Sequence, residues 1–461
     1  MQERTESIAP EQGATRREFV TRSGAIVLGG VAAATMPQRA MGYFAGGDDE
    51  IKIALIGAGS RGSDATLQAL QTIGKTRLWA VADAFSANAE RSLRKITRGL
   101  TNAQKKSPRE GAEPTIDVTP DRVFSGLDAY QKAIDSGVDL VILASPPGFR
   151  PKHFEAAIQA GKHVFMEKPV AVDAPGVRRV LEASDLADVK GLSVGVGLQR
   201  RHSPNYTETV SRLQEGAIGD VLCTRAYWNG AGVWVRSRAD FIQTHGHEPT
   251  LMEYQVNNWY YFNWLCGDHI VEQHIHNIDV CNWIKQAHPV WAQGSGGREY
   301  RKGKDHGEIF DHHTVEFRYE DGSVMLSQCR HIPGCWNQVD EYAIGASGHA
   351  HVGGAKIDSA GGTWQYAGEP INPYQQEHDD LFRTIREGSR YNEAPYGAES
   401  TMTCILGRMA TYSGQPVKWD DALASDLDLS PETYEWDATP PVTPGDNGLY
   451  VAAVPGTTKA L

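Results

Sequence analysis

Cysteine is scarce in this chain: six residues in 461, at Cys223, Cys266, Cys281, Cys329, Cys335 and Cys404, with no Cys-x-x-Cys pair. That spacing excludes a zinc ribbon and leaves buried free thiols as the expectation. Positive charge is also short, with 45 Lys and Arg against 57 Asp and Glu and a net charge of −12. Such a balance offers no basic face to nucleic acid. Past Met36 no run is long and apolar enough to span a bilayer, so no membrane partner is expected once the N-terminal segment is removed. Internal repeats are missing too. What is present is length for two or three domains and enough apolar residues to bury a sizeable core.

The most informative stretch is Ile51 to Gly62, IKIALIGAGSRG, in which an apolar strand runs directly into Gly57-x-Gly59-x-x-Gly62. The first glycine permits a tight turn, the second lets backbone approach a pyrophosphate, and the third allows close strand–helix packing. The next helix then presents its N-terminus to the phosphates. A second strand, Leu78 to Asp83, ends on an acid placed to meet a ribose 2′-hydroxyl. An anion there repels a 2′-phosphate, so Asp83 favours NAD over NADP.

Ahead of this fold, Thr15-Arg16-Arg17-Glu18-Phe19-Val20 precedes a mildly apolar run from Gly24 to Met36 and small residues near Ala40. The pattern is that of a twin-arginine export signal, and it predicts a periplasmic or otherwise exported protein. That route carries folded proteins, so a dinucleotide can be bound before export. Free NAD is not expected outside, which favours a tightly held, recycled cofactor.

The expected organisation is α/β: a signal and linker over 1–46, a Rossmann NAD-binding domain over 51–172, an α/β substrate domain over 173–429 and an extended tail over 430–461. Val138 to Ala144 reads as a buried strand, followed by Ser145-Pro146-Pro147, a helix near His153 and the strand from His163 to Met166. Lys95 to Pro120 is polar, contains Pro and Gly, and reads as an insertion or flexible loop. Val315 to Leu326 reads as a hairpin around Asp321-Gly322, implying an antiparallel second sheet.

Gly57-Ala58-Gly59-Ser60-Arg61-Gly62, Ala144-Ser145-Pro146-Pro147, Glu167-Lys168-Pro169 and a later acid-x-x-x-His segment, in that order, resemble the Gfo/Idh/MocA oxidoreductases. The resemblance spans about Ile51 to Ser425. It implies an N-terminal Rossmann domain, then a C-terminal α/β domain whose large open, mainly antiparallel sheet carries the substrate pocket and often a homo-oligomer interface. It also implies hydride exchange between a nicotinamide and a small-molecule carbohydrate, cyclitol or related carbinol. By this resemblance Gly57, Gly59, Ser60, Arg61, Gly62, Ser145, Pro146, Glu167 and Lys168 hold the cofactor, and a cis peptide often precedes the proline of the Glu-Lys-Pro motif. A family branch uses transient oxidation to eliminate a glycosidic leaving group, so a glycosidase is one alternative, and a noncatalytic carbohydrate-binding protein on the same scaffold is another.

Oxidising a secondary alcohol requires a base for the hydroxyl proton and stabilisation of an alkoxide-like oxygen as hydride leaves carbon. Lys168 suits the second need. In Gly267 to Asp279, a continuous helix would align His269, Glu272, His276 and Asp279 on one polar face, with His274 opposite. The resemblance places Glu272 where the family has Asp and His276 at the acid/base position, which makes Lys168, Glu272 and His276 the catalytic candidates. The stripe could equally hydrogen-bond across a domain seam. His269, Glu272 and His276 could ligate an ion, but the spacing is not His-Glu-x-x-His and no fourth ligand is evident, so no metal is expected. Asp311-His312-His313 and His349-x-His351 default to solvated or hydrogen-bonded histidines. Trp259, Tyr260 and Trp264 are candidate pocket aromatics for stacking on a sugar or, equally, core packing. Arg200 stabilises an anionic group or anchors a loop, and Asp279 is read with the substrate side.

Overall fold

The computed structural model describes residues 50–460, so the twin-arginine pattern and its linker lie outside the described residues. From Ile51 the chain builds a seven-stranded, all-parallel sheet from β1 (Ile51–Ile56), β2 (Gly74–Asp83), β3 (Ala112–Ile116), β4 (Val123–Ser125), β5 (Leu140–Leu143), β6 (His163–Met166) and β7 (Val194–Val196). The order is β3-β2-β1-β5-β6-β7, with β4 pairing the C-terminal end of β2. Chain direction across the sheet reverses between β1 and β5, and a crevice at the carboxyl ends of these strands is where such folds bind ligands. Helices α1 (Ser60–Leu70), α2 (Ser86–Lys106), α3 (Ala129–Ile134), α4 (Arg150–Gln159) and α5 (Ala174–Lys190) connect the strands.

Two expectations change here. Most of the stretch read as a loop between Lys95 and Pro120 is ordered: α2 runs 21 residues to Lys106, and β3 follows it. Its polarity is that of a surface helix, since Ala89, Ser92, Ile96 and Leu100 form the buried face at helical spacing while the rest is solvated. The parallel sheet also continues past residue 172. Asp173 caps α5 by accepting from Gly176 N, Gly191 ends that helix at φ +67°, and the chain returns as β7 beside β6.

The second sheet has nine strands: β8 (Val221–Gly230), β9 (Trp291–Gly297), β10 (His312–Arg318), β11 (Val324–His331), β12 (Gln338–Gly345), β13 (Gly348–His351), β14 (Lys356–Ser359), β15 (Gly362–Gln365) and β16 (Val417–Lys418). Their order is β15-β14-β13-β12-β8-β11-β10-β9-β16, and only the β8–β11 pair among them is parallel. The expected hairpin is β10–β11, turning through Gly322 at φ +82°. Period-two burial along β10 and β11 turns Val315, Phe317, Met325 and Cys329 inward and leaves Leu326 on an open face.

Helices α6 (Pro204–Gln214), α7 (Arg238–His245), α8 (Leu251–Asn257), α9 (Asn263–Cys266), α10 (His269–Glu272), α11 (Ile275–Lys285), α12 (Pro373–Glu387), α13 (Ala394–Ser413) and α14 (Trp419–Leu423) complete the fold. Helix α13 is buried almost along its whole length, and its Met402, Ile405 and Leu406 join Val141 and Met166 of the first sheet to Phe317 and Met325 of the second in one core. Leu381, Phe382 and Ile385 of α12 pack on Ile51, Ile53 and Leu55, so the late chain returns to cover the first sheet. Residues 430–460 carry no helix or strand, yet they pack down: Tyr450 is buried against Phe262 at 5.0 Å, and Thr250 Oγ1 donates to Trp436 O at 2.7 Å. All six cysteines are free thiols, and Cys266, Cys281, Cys329 and Cys404 are buried.

Candidate active site

A cleft of about 1050 Å³ opens where β1 and β5 diverge. Gly57, with φ +95°, sits so close to the β5 end that a Cβ there would lie 2.2 Å from Ser145 N, and a Cβ on Gly62 would lie 2.1 Å from Gly57 O. A Cβ on Gly59 meets only open space. The three glycines thus do separate jobs, and the middle one leaves room for a ligand against the N-terminus of α1. Asp83 ends β2 in the same cleft. Its Oδ2 accepts from Ala58 N at 2.7 Å, and its Oδ1 accepts from Phe85 N at 2.9 Å and Asn88 Nδ2 at 3.0 Å. Burial raises the Asp83 pKa, while these donors and the Arg236 charge oppose the rise.

Gly57, Gly59, Ser60, Asp83, Ser145 and Pro146 all line the cleft, and so does Trp259, which sequence reasoning placed with the substrate. Arg61 turns elsewhere: its guanidinium pairs with Glu167, donates to Glu377 Oε1 and Gln68 Oε1 at 2.9 Å each, and lies over Tyr374. Glu167 in turn sits against Gly197, where a Cβ would come 2.6 Å from its Oε2. These two residues brace the α1 start against β6 and α12.

Lys168 follows β6 and is joined to Pro169 by a cis peptide bond. Its Nζ donates to the Glu272 backbone oxygen and to Glu272 Oε1 at 3.0 Å, with both side chains 12 % exposed. Arg150, which sequence reasoning did not single out, is fully buried and donates to both Ser145 O and Pro169 O. It therefore ties the segment bearing Lys168 to the cleft wall. Burial lowers the Arg150 pKa to about 10, partly offset by Glu167 and Glu272, so the guanidinium stays charged at neutral pH.

The polar stripe does not form as one helix. Gly267 and Asp268 both adopt positive φ, the Asp268 side chain caps His269 N, and α10 ends after one turn at Glu272 before α11 starts at Ile275. Periodicity cannot foresee this break. His269 consequently faces Asp268 and His313, away from the lysine, while His274 bonds Ser327 Oγ on β11 at 2.8 Å. His276 is buried, stacked near Trp228 at 5.9 Å, and its Nδ1 lacks a hydrogen-bond partner. Burial, then the charges of Lys168, Arg200 and Arg61, drives its pKa well below the ordinary value. The imidazole is therefore held in its neutral form.

Asp279 and Arg200 are both engaged by other side chains of the fold. Asp279 binds Arg201 through two oxygens, at 2.9 and 2.8 Å, and accepts from Ser400 Oγ at 2.8 Å; Arg200 pairs with buried Glu341. Trp264 is core, its Nε1 donating to Gln255 Oε1 at 2.7 Å. Tyr260 is buried with no partner for its hydroxyl.

The cleft has further walls that sequence reasoning missed: Asn88, Arg91 and Lys95 from α2, Tyr130, Phe149 and His153 from the α3–α4 region, and Arg236 and Val256 from the segment after β8. His153 holds Ser145 Oγ at 3.1 Å and stacks on Tyr130 at 4.1 Å; burial lowers its pKa to about 3, leaving it neutral. Only its position after the Ser-Pro-Pro turn hinted at this.

A parallel sheet with a glycine-lined crevice at its reversal point and an acid closing β2 defines an NAD-binding Rossmann domain. Residues 51–198 match the model of the Gfo/Idh/MocA oxidoreductase family, described as an oxidoreductase family with NAD-binding Rossmann fold, and this N-terminal domain is of that type. Among curated relatives, the inositol 2-dehydrogenase of Paracoccus denitrificans is 32 % identical over 235 residues, covering 51 % of this chain and 54 % of the relative. Inositol 2-dehydrogenase 4 of Saccharopolyspora erythraea is 32 % identical over 173 residues, 38 % of this chain and 44 % of that protein. The chain thus spans about half the length of the curated relatives it matches. Solved structures extend the likeness in fold to both sheets. A levoglucosan dehydrogenase in complex with NADH and levoglucosan aligns with TM-score 0.61 at 16 % identity, over 80 % of this chain and 99 % of that one. A scyllo-inositol dehydrogenase from Lactobacillus casei with bound NAD(H) and scyllo-inositol aligns with TM-score 0.56 at 18 % identity, over 81 % of this chain and all of that one, 100 %.

Proposed function

We propose that this chain is an NAD-dependent oxidoreductase that moves hydride to or from a secondary carbinol of a sugar, cyclitol or glycoside, and keeps its dinucleotide bound between half-reactions. The observation that carries the reading is Lys168, fixed by Glu272 and by the Arg150 bridge to Ser145 on the wall of the dinucleotide cleft. Its ammonium stabilises the carbinol oxygen as that oxygen gains alkoxide character. Neutral His276, within the electrostatic reach of Lys168, accepts the hydroxyl proton. Glu272 holds the lysine in place. When bound, NAD supplies the hydride acceptor. Inositol and levoglucosan dehydrogenases among the similar proteins support a polyol or sugar substrate.

Retention of the cofactor is supported by the cover over the cleft. Arg236, Val256 and Trp259 reach it from the segment between β8 and α9, and Phe85 on its rim packs on Phe241 at 6.0 Å and on Trp436 of the late chain at 5.2 Å. Export by the twin-arginine route, read from Arg16-Arg17, agrees with a cofactor acquired before secretion. Self-association is supported by Leu326 and Ile344, 44 % and 40 % exposed on the open side of the second sheet. The test is to purify the chain without added nucleotide and follow nicotinamide absorbance as sugars, cyclitols and glycosides are added. Bound NAD reduced by one of these, and reoxidised by a carbonyl partner, is the expected result; a chain with bound NAD that no carbinol reduces rejects the reading.

A further inference from the structure

Between α10 and the inner face of the second sheet lies a polar cluster that hydride transfer does not use: Asp268 and His269, each 0 % exposed, and His313 of β10, 2 % exposed. Asp268 Oδ1 accepts from His269 N and lies 2.8 Å from His269 Nδ1 and 3.3 Å from His313 Nε2. Its Oδ2 accepts from Phe310 N at 2.9 Å and from the Tyr412 hydroxyl at 2.6 Å. The ion-pair partners of this fully buried carboxylate among the described residues are the two imidazoles.

One of the two neutral tautomers of His313 leaves its hydrogen count open. Its Nδ1 is 2.9 Å from Thr411 Oγ1, and the Thr411 hydrogen is directed at Arg408 O, 3.1 Å away. With the hydroxyl so directed Thr411 accepts, Nδ1 carries the hydrogen, and a neutral ring leaves a lone pair on Nε2; turned to Nδ1 instead, the hydroxyl lets Nε2 carry the hydrogen toward Asp268. The lone pair of the first arrangement faces Asp268 Oδ1, and Nε2 has no hydrogen-bond partner. Two acceptors meeting in a dry core are repulsive, and each forfeits the hydration it had in water. His269 Nε2, too, is buried without a partner.

In the Nδ1–H tautomer a cation takes the place of the missing hydrogen. One ligand atom from each of Asp268, His269 and His313 lies within 4.8 Å of the other two, close enough to converge on an ion at bond lengths of about 2.0–2.2 Å. We propose that Asp268, His269 and His313 supply three of the ligands of a structural site for a divalent transition-metal ion of the zinc class, a donor set of two imidazoles and one carboxylate that suits such ions. Its burial keeps substrate away, so the ion acts on position. It joins the Asp268-His269 pair, just before Glu272, to β10, and thereby holds in place the carboxylate that fixes Lys168. This site differs from an ion shared by His269, Glu272 and His276, because the break after α10 sends those side chains to different partners.

The test is the metal content of the full chain, purified without an immobilised-metal column from cells grown with zinc, manganese and iron, together with its melting temperature. One tightly held ion per chain is expected, with His313→Ala and Asp268→Asn both substoichiometric. Because either variant can fail to fold, the native chain is also opened in mild denaturant with a chelator and refolded with or without zinc or cobalt. Loss of several degrees of melting temperature, restored by zinc, and a visible cobalt spectrum of imidazole coordination support the site. Native chain with substoichiometric metal, melting alike with and without chelator, overturns it and leaves a hydrogen on His313 Nε2, directed at Asp268, as the resolution.

Discussion

Replacing Lys168 with Met separates what its charge does for folding from what it does for chemistry. In the native chain the ammonium lies 3.0 Å from Glu272 Oε1, and both side chains are 12 % exposed. Removing one member of a buried pair strands the other charge, a loss of about 3–5 kcal/mol when burial is complete. The residual exposure puts Lys168→Met at about 2–3 kcal/mol by the same reasoning. Adding Glu272→Gln removes the stranded charge, so the double variant regains most of that stability. Turnover behaves differently, because no group then stabilises the alkoxide: both variants fall by roughly 10²-fold or more, about 2.7 kcal/mol of barrier. The assay pairs denaturant unfolding with single-turnover reduction of bound NAD by a validated carbinol. Turnover that recovers in step with stability in the double variant would refute the catalytic role and leave Lys168 as a structural residue.

Asp83→Ala should weaken NAD binding and reduce its preference over NADP, measured by titrating apo-protein with both, because it removes the carboxylate and frees Ala58 N and Phe85 N in the cleft; unchanged discrimination contradicts the assignment. His202 tests the brace beside the cleft: Asp380 and Glu393, 2.9 and 3.1 Å away, outweigh burial and raise its pKa from 6.5 to about 10. Its pairs therefore stabilise the fold fully below about pH 6.5 and lose that effect as pH rises toward about 10. The stability gap between wild type and His202→Gln, read by urea unfolding, should narrow across that window, and a gap that widens with pH would contradict it. Leu326→Lys should shift the chain toward monomer in light scattering, and an unchanged mass removes the open sheet face as the contact.

The nucleotide half was legible because its chemistry is local. Gly57, Gly59 and Gly62 act within one strand–helix turn, and Asp83 closes the next strand, so motif and geometry coincide. Lys168 and Glu272 were legible through motif order, although nothing in their spacing shows that a side chain 104 residues away would meet the lysine. What could not be read depended on distant partners. Asp279 looks functional on a helical wheel until Arg201 and Ser400 claim both its oxygens, and Arg200 is held by Glu341, 141 residues on. A hydrophobic period registers neither the positive φ of Gly267 and Asp268 just before α10 nor the interruption between Glu272 and Ile275. The helix read as a loop near Lys95 failed for the opposite reason: only a narrow apolar stripe of α2 touches the core, and composition averaged it away.

The most direct test of hydride transfer uses a carbinol carrying deuterium on the reacting carbon, chosen from the substrate screen, with the chain purified holding its own NAD. After the oxidative half-reaction, with no carbonyl acceptor added, the nucleotide is released by denaturation and weighed by mass spectrometry. The expected result is deuterium on the nicotinamide of the retained dinucleotide in the native protein, with labelling slowed roughly 10²-fold in His276→Ala. Product formed with no deuterium reaching the nicotinamide would contradict the account.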